Sequence, residues 1–91
     1  MRKSLHTPEY KRLLAALRNA RAHAGLSQRE LGARLKVPHT WVAKVESGER
    51  RIDVVEFGWF IAACGRKATA VFARLQPKGP QRERAGKAGR R

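Results

Sequence analysis

Residues 27–48 read SQRELGARLKVPHTWVAKVESG, and this stretch holds the signals that decide the fold. Ser27 and Glu30 form a capping box, in which each side chain accepts a hydrogen bond from the other residue's backbone N–H at the start of a helix. Two leucines follow at helical spacing. Pro38 then interrupts the pattern, because proline disfavours a continuing helix and restricts the residue before it. The stretch therefore predicts two short helices joined by a tight turn.

The second of these helices is predicted to run from about Pro38 to Glu46. Val42 and Val45 are expected to face the core, which leaves the side chains between and around them on the outer surface. Gly48 follows this helix, and glycine is the residue that most often supplies the left-handed conformation just after a helix end.

A longer helix is predicted before this pair, from Pro8 to about His23. Thr7 supplies a capping hydroxyl, and proline suits the first helical position because the N–H that it lacks would have no partner there. Apolar residues then recur at three- and four-residue spacing, and Gly25 follows the end of the pattern.

Two more helices are predicted after the pair. Asp53 and Glu56 form a second capping box, which begins a helix that runs to Cys64. A short helix over about 69–75 is expected to bury three apolar side chains: Val71, Phe72 and Leu75. No segment alternates with period two over the length of a strand, so the sequence predicts an all-α domain of five short helices over residues 7–76.

The chain carries 21 Lys and Arg residues against 7 Asp and Glu residues, a formal net charge of +14. So large an imbalance repels itself in a compact fold and indicates a polyanionic partner, either nucleic acid or an anionic membrane surface. The longest apolar run, residues 57–64, is far shorter than the ~20 residues that span a bilayer. The first residues lack the apolar core of a secretory signal, so we expect a cytoplasmic, nucleoid-associated protein without membrane contact.

Nothing in the sequence supports an enzyme. A lone cysteine, Cys64, excludes an internal disulfide and cannot by itself form a zinc site. The three histidines are scattered without metal-ligand spacing, and the sequence has no paired carboxylates, no Ser/His/Asp set and no glycine-rich phosphate loop between a strand and a helix. We therefore expect no catalytic residues, no metal and no cofactor.

Both ends of the chain are basic. Residues 1–6 are predicted to form a short arm that carries Arg2 and Lys3. Residues 77–91 contain six Lys and Arg residues, one acid and no aliphatic side chain larger than alanine. Such a segment cannot bury enough surface to offset the entropy lost on ordering, so we predict a disordered tail. The arm and the tail are expected to add affinity for a polyanion without sequence preference.

Residues 17–65 resemble the lambda-repressor-like, Xre-type helix-turn-helix regulators. The residues that carry the resemblance are correctly spaced over a little more than half of the chain: Leu17 and Arg21, Gly25 to Gln28, Glu30 and Leu31, Val42, Glu46 to Gly48, and Arg50 to Asp53. The resemblance implies a compact five-helix domain that places its third helix in the major groove of DNA and commonly works as a dimer on a palindrome.

Four side chains on the outer surface of the third helix are predicted to contact base edges: His39, Thr40, Ala43 and Lys44. In this motif the N-terminal turn of the recognition helix reaches the bases. Lys44 lies one turn beyond Thr40 and can donate to guanine O6 and N7 or meet a phosphate, whereas Ala43 can touch only a thymine methyl group. A merely solvated surface is the alternative, but it explains poorly why so short a helix presents a histidine and a tryptophan.

Six side chains are predicted to lie near DNA phosphates: Gln28, Arg29, Lys36, Trp41, Arg50 and Arg51. In related proteins the glutamine that matches Gln28 clamps the DNA backbone from a helix N-terminus, where the positive end of the helix dipole favours phosphate. Arg29 and Arg34 are open to two interpretations, phosphate contact or solubilising charge. Trp41 is expected chiefly to pack at a half-buried site, from which its N–H can still reach a phosphate.

Four positions are also assigned structural roles through the resemblance. Related domains join the arginine and glutamate that match Arg21 and Glu46 in a partly buried salt bridge between the first and third helices. The turn before the third helix usually carries glycine where this chain has Lys36, which predicts a strained backbone conformation. Gly32 replaces the usual alanine of the second helix and still permits a close approach of the third.

The fourth helix departs most from the family, since residues 58–62 read GWFIA and are unusually apolar. Gly58 should weaken the helix by ~1 kcal/mol relative to alanine, so we expect something to pack closely against it. Trp59, Ala62 and Phe72 are predicted to form a dimer interface. The alternative is that Trp59 folds back over its own core.

The sequence therefore predicts a sequence-specific, double-stranded DNA-binding transcriptional regulator, a repressor that binds a palindromic operator as a homodimer. One alternative is an antitoxin that binds DNA and also a toxin protein. Another is a helix-turn-helix domain that binds only proteins, although a net charge of +14 argues against it. RNA binding fits the tail but not the folded part, for which no aromatic platform on a sheet is predicted.

Overall fold

The structure, a computed structural model, describes residues 7–79, which contain five α-helices and no strand. The helices are α1 (Pro8–His23), α2 (Gln28–Leu35), α3 (His39–Ser47), α4 (Val54–Ala63) and α5 (Ala68–Leu75). The predicted all-α, five-helix fold is confirmed. The predicted arm over residues 1–6 and the part of the predicted tail over residues 80–91 lie outside the described residues.

The helix starts follow from local chemistry, and the caps predicted from the sequence are present. Thr7 Oγ1 accepts from the Tyr10 N–H at 3.0 Å, with proline as the first residue of α1. In the α2 box, the backbone N–H of Ser27 donates to Glu30 Oε1 at 2.8 Å and Ser27 Oγ accepts in return at 3.0 Å. The corresponding distances for Asp53 and Glu56 are 3.0 and 2.7 Å. Each cap satisfies backbone N–H groups that the helix itself cannot.

The third helix begins one residue later than predicted. Pro38 has an extended backbone and acts as the N-cap without a side-chain hydrogen bond, so α3 starts at His39. At the other end Gly48 takes up the left-handed conformation, with φ of 86°, as the sequence indicates.

The turn between α2 and α3 contains the strained backbone predicted at Lys36. Its φ of 61° and ψ of 41° are left-handed, a conformation that costs a residue with a Cβ roughly 1–2 kcal/mol. The conformation lets the Lys36 N–H reach the Ala33 carbonyl and the Val37 N–H reach the Gly32 carbonyl, at 3.3 and 3.0 Å. Lys36 therefore ends α2 abruptly and turns the chain directly into α3.

Gly32 allows α2 and α3 to approach closely. A Cβ at this position would lie 2.9 Å from the carbonyl oxygen of Val37 and 3.2 Å from the Cα of His39. Both neighbours are backbone atoms, which cannot swing aside as a flexible side chain can. The absence of a side chain at Gly32 thus sets the spacing between the two helices.

The core lies between α1, α2, α3 and α4, with α3 and α4 each packed against both α1 and α2. Its fully buried side chains come from all four helices: Leu17, Leu31, Val42, Val45, Phe60 and Ile61. The fifth helix contributes only Val71 to this core. The prediction that α5 buries Phe72 is wrong, since Phe72 is 53% exposed, and Leu75 is half-buried. An eight-residue helix that packs by one edge against α1 and α4 has room to bury one side chain fully.

A buried ion pair joins α1 to α3. Arg21 donates from Nε to Glu46 Oε2 at 2.6 Å and from Nη2 to Glu46 Oε1 at 2.9 Å. Glu46 is only 3% exposed, and the hydrogen bond to it raises the pKa of the Arg21 guanidinium. A third Arg21 N–H, on Nη1, donates to the Leu26 carbonyl at 2.9 Å. The arginine therefore fixes α1 to both α3 and the loop before α2.

Two further side chains complete the shell around Glu46. Gln28 Nε2 donates to Glu46 Oε1 at 3.0 Å, which brings the first turn of α2 to the same carboxylate. Arg18, one turn before Arg21 on α1, donates from Nη1 to the backbone carbonyl of Glu46 at 3.0 Å. Three helices thus meet at one residue of α3.

Replacing Gly32 with alanine should lower the free energy of unfolding by about 1–3 kcal/mol, because the added Cβ must displace backbone atoms. Gly58→Ala is the matched control, since Gly58 is also helical but a Cβ there would meet nothing within 4 Å. The control should gain about 0.5–1 kcal/mol from the better helix propensity of alanine. Denaturant unfolding in dilute solution measures both changes, and equal effects would contradict the close packing at Gly32.

Glu46→Gln keeps the shape of the side chain but removes the charge that balances Arg21. We expect it to lower the free energy of unfolding by about 3 kcal/mol, the low end of the range for a broken buried pair, because Arg21 keeps some contact with solvent. Glu49→Gln is the control, because Glu49 is exposed just after α3 and should change stability by less than about 0.5 kcal/mol. A loss below about 1 kcal/mol for Glu46→Gln would mean that the pair does not hold α3 in place.

Candidate nucleic-acid interface

The outer surface of α3 presents the four side chains predicted to contact bases. Thr40 and Lys44 are exposed, and His39 and Ala43 are half-buried. Thr40 and Lys44 are four residues apart and therefore lie side by side along the helix, with Cβ atoms about 5–6 Å apart. Within residues 7–79 neither side chain makes a hydrogen bond or ion pair, so their polar atoms face solvent.

The inner surface of α3 is held firmly. Val42, Val45 and Glu46 are buried, and the first two lie in the core. The loop after the helix folds back on it, since the Arg50 N–H donates to the Lys44 carbonyl at 3.1 Å. The packing of its inner side therefore holds α3 rigidly, with its outer side chains on the surface of the domain.

The first turn of α2 contacts α3 through the side chain of Gln28. The backbone N–H groups of Gln28 and Arg29 have no partner within the helix, because the first residues of any helix lack an acceptor there. The side chain of Gln28, however, is half-buried and turned toward Glu46. The sequence prediction gave Gln28 a phosphate contact but missed this internal one. Gln28 and Glu46 are eighteen positions apart, so only the folded geometry shows that Gln28 joins the Arg21–Glu46 pair.

Arg50 has partners inside the molecule. Its guanidinium donates to both carboxylate oxygens of Glu56 at 3.1 Å and to the Arg51 carbonyl at 2.7 Å. The hydrogen bond from Arg50 is the main cause that lowers the pKa of Glu56 and raises that of Arg50 itself. The pair ties the loop after α3 to the cap of α4.

Trp41 is half-buried against the core, on the side of α3 next to this loop. The Arg50 guanidinium carbon lies 5.1 Å from the centroid of its ring, within the range of a cation–π contact. The structure thus brings two residues predicted near phosphates, Trp41 and Arg50, into contact with each other. Part of the Arg50 side chain remains exposed.

Three other basic side chains predicted near phosphates are exposed: Arg29, Lys36 and Arg51. They come from the first turn of α2, from the turn before α3 and from the loop after α3. Arg34, which the sequence left open, donates to the Ala63 carbonyl at 2.9 Å and so connects α2 to the end of α4.

The residues predicted to form a dimer interface are all exposed. Trp59 is 55% exposed, so it does not fold back over its own core, and Ala62 is exposed on the same helix. Phe72 lies elsewhere, in a cleft that it lines together with Tyr10 and Val54. The expectation that something packs closely against Gly58 is wrong for the chain by itself, since a Cβ there would meet nothing within 4 Å.

Other kinds of site find little support in residues 7–79. They contain no group of three or more His, Cys, Asp or Glu residues that could hold a metal ion. None of the five helices is long and apolar enough to cross a membrane.

Comparisons with known proteins agree with this geometry. The helix-turn-helix domain family matches residues 12–75. A solved structure described as an XRE-family like protein from Pseudomonas syringae pv. tomato str. DC3000 superposes with a TM-score of 0.76 at 42% sequence identity. The match covers 81% of this chain and 90% of that one. No curated protein matches the chain. The family match over most of the chain and the identity to that structure show that this protein belongs to the Xre-type helix-turn-helix family of DNA-binding regulators.

Proposed function

We propose that this protein is a sequence-specific transcriptional repressor that binds a palindromic operator as a homodimer, with α3 in the major groove of each half-site. The observation that carries the proposal is the contrast between the two surfaces of α3. Its inner surface is fixed by buried valines and by the ion pair of Glu46, whereas its outer surface offers Thr40 and Lys44 without partners in residues 7–79. A rigid helix with unsatisfied polar side chains outward suits direct contact with base edges.

Each outer side chain of α3 has a chemistry that base edges can meet. Lys44 can donate to O6 and N7 of guanine, and the Thr40 hydroxyl can donate or accept. His39 lies in the first turn, the part of a recognition helix that enters the groove most deeply. Ala43, between them, supplies apolar contact for a thymine methyl group.

Phosphate contacts are proposed on either side of α3. The unpaired N–H groups at the start of α2 and the side chain of Arg29 face one DNA strand, as is favourable at the positive end of a helix dipole. Lys36 and Arg51 extend this basic surface across the turn and the following loop. Arg50 joins it through the exposed part of its side chain while Glu56 and Trp41 hold its position.

A second copy of the chain is the proposed partner of the exposed surface of α4. Val55, Gly58, Trp59 and Ala62 follow the i, i+3, i+4, i+7 pattern of one helical stripe, and none of them is buried. Gly58 and Ala62 leave room for the indole of a facing Trp59, and burial of such a large side chain favours association. Repression then requires only that the dimer occupy its operator and exclude other proteins.

Selection of bound sequences from a random duplex pool tests the base contacts. Lys44→Ala and Thr40→Ala should each cost about 1–3 kcal/mol on the wild-type operator and relax the preference at one or two positions of each half-site. Lys36→Ala and Arg51→Ala are the controls. They should weaken binding to all sequences alike and make the slope of log affinity against log salt shallower by about 0.9 per contact. If the wild-type protein enriches no sequence above its binding to random duplex DNA, the proposal fails.

Trp59→Glu places a charge in the centre of the α4 stripe and should convert the dimer to a monomer, as seen by sedimentation at micromolar concentration. Affinity for the full palindrome should fall toward that for a single half-site. Phe72→Glu is the matched control, because Phe72 is an aromatic side chain of similar exposure, 53%, but lies on α5, outside the stripe. Loss of the dimer in both variants, or in neither, would rule out the α4 stripe as the interface.

A further inference from the structure

A cleft between α1 and α5 has no part in the proposed DNA complex. Its volume is about 300 Å³, and three arginines line it: Arg12, Arg66 and Arg74. His23 and Asn19 are the other polar lining residues, and none of the described lining residues is acidic. We name this feature the α1–α5 cleft.

The arginines of the α1–α5 cleft are not engaged elsewhere in residues 7–79. Arg12 and Arg74 are exposed, Arg66 is half-buried, and none of the three guanidinium groups makes a hydrogen bond or ion pair within that range. Three guanidinium groups around one concavity repel one another, and neighbouring carboxylates do not offset the repulsion. The cleft therefore concentrates positive charge, and no acidic side chain among its described lining residues neutralises it.

The α1–α5 cleft lies on the far side of α1 from the recognition helix. Nine residues separate Arg12 from Arg21, and at about 100° per residue this places them on opposite sides of α1. Arg21 faces α3 through its bond to Glu46, and α3 and α5 make no extensive contact. A duplex bound by α3 would leave the cleft open to another partner.

The floor of the α1–α5 cleft is apolar. Its apolar lining residues are Ala15 and Ala16 of α1 and Val71 and Leu75 of α5, and all four are less exposed than Arg12 and Arg74. A phosphate backbone cannot fill an apolar floor, whereas a partner with both apolar and acidic side chains can cover the floor and neutralise the rim.

The positive charges lie toward the two ends of the cleft. The backbone N–H of Lys78, three residues after α5, donates to Glu9 Oε2 at 2.6 Å, so the end of α5 lies near the start of α1 and the two helices run in opposite directions. Arg74 therefore lies toward Arg12, and Arg66 lies toward His23. Arg12 and His23 are eleven residues apart on α1, a distance of ~16 Å, or about three helical turns.

We propose that the α1–α5 cleft binds an acidic amphipathic helix of another protein, about three turns long, with carboxylates near its ends and small apolar side chains between them. Its carboxylates would form paired hydrogen bonds with the guanidinium groups. Its apolar side would rest on the alanine, valine and leucine floor, as helices do in hydrophobic grooves. A single small anion could not reach both charged ends, and the basic tail over residues 77–91 has the wrong charge. This proposal does not depend on which DNA sequence α3 binds.

The test uses the full chain and a fluorescein-labelled, stapled 12-residue helical peptide with two glutamates in each end turn and alanine and leucine in the middle. A second stapled peptide of the same composition carries its glutamates in the middle. At ~0.15 M ionic strength, where charges farther apart than about 8 Å are largely screened, the first peptide should bind at least about tenfold tighter than the second. Equal binding of the two peptides would show attraction by bulk charge only and would overturn the proposal.

Charge reversal locates the site. Arg12→Glu with Arg74→Glu should weaken binding of the first peptide by about tenfold or more, while the matched pair Lys11→Glu with Lys67→Glu, two lysines outside both the cleft lining and the proposed DNA contacts, changes it by less than about threefold. All four residues are exposed, so folding should survive, and thermal unfolding checks this. Equal loss in both double variants would overturn the proposal.

Two other occupants of the cleft are distinguished with the same variants. If Arg12→Glu with Arg74→Glu weakens binding to random duplex DNA more than the matched pair does, the cleft is a second DNA contact and the proposal is wrong. If it abolishes self-association in sedimentation, the cleft binds a second copy of this chain, and the proposal is again wrong. We expect neither change.

Discussion

The carboxylate of Glu46 is buried in the interior of the domain, and a charge in that position must be compensated. Water cannot reach it, so the compensation has to come from the chain itself. Arg21 brings α1 to it with two hydrogen bonds, and Gln28 brings the start of α2 with a third. Because Glu46 belongs to α3, the hydrogen bonds that compensate its buried charge fix α1, α2 and α3 relative to one another. It is the only charged residue among residues 7–79 that is buried to this extent.

The constraint at Glu46 works together with the turn before α3. The left-handed backbone of Lys36 makes the turn short, and the absence of a side chain at Gly32 lets α2 and α3 pack closely. The turn fixes the position of the first residue of α3, and the ion pair of Glu46 fixes the position of its last turn. Between these two anchors the outer side chains of α3 have a defined position beside the first turn of α2. The arrangement suits a surface that has to match the spacing of base edges and phosphates without rearranging.

Local signals in the sequence predicted most of the fold. Capping residues, prolines and glycines act within a few positions along the chain, so the start and end of each helix were predicted to within about two residues. Interactions over long separations were harder to foresee. Gln28 and Glu46 are eighteen positions apart, and Arg50 stacks on Trp41 while pairing with Glu56, contacts that depend on how the helices cross. Phe72 is exposed because of the way α5 is rotated against its neighbours, and the open space at Gly58 depends in the same way on α4. The periodicity of the sequence alone does not determine these rotations.

In the proposed complex, α3 contacts DNA through its outer surface while the ion pair of Glu46 stays intact. The most direct measurement is a nuclear magnetic resonance titration of the ¹⁵N-labelled full chain with a duplex selected from a random pool. We expect the largest shift changes on the amides of residues 39–44 and of the first turn of α2, and we expect the Nε–H signal of Arg21 to keep its position. Changes concentrated on α1 and α5, or loss of the Arg21 signal on binding, would contradict it.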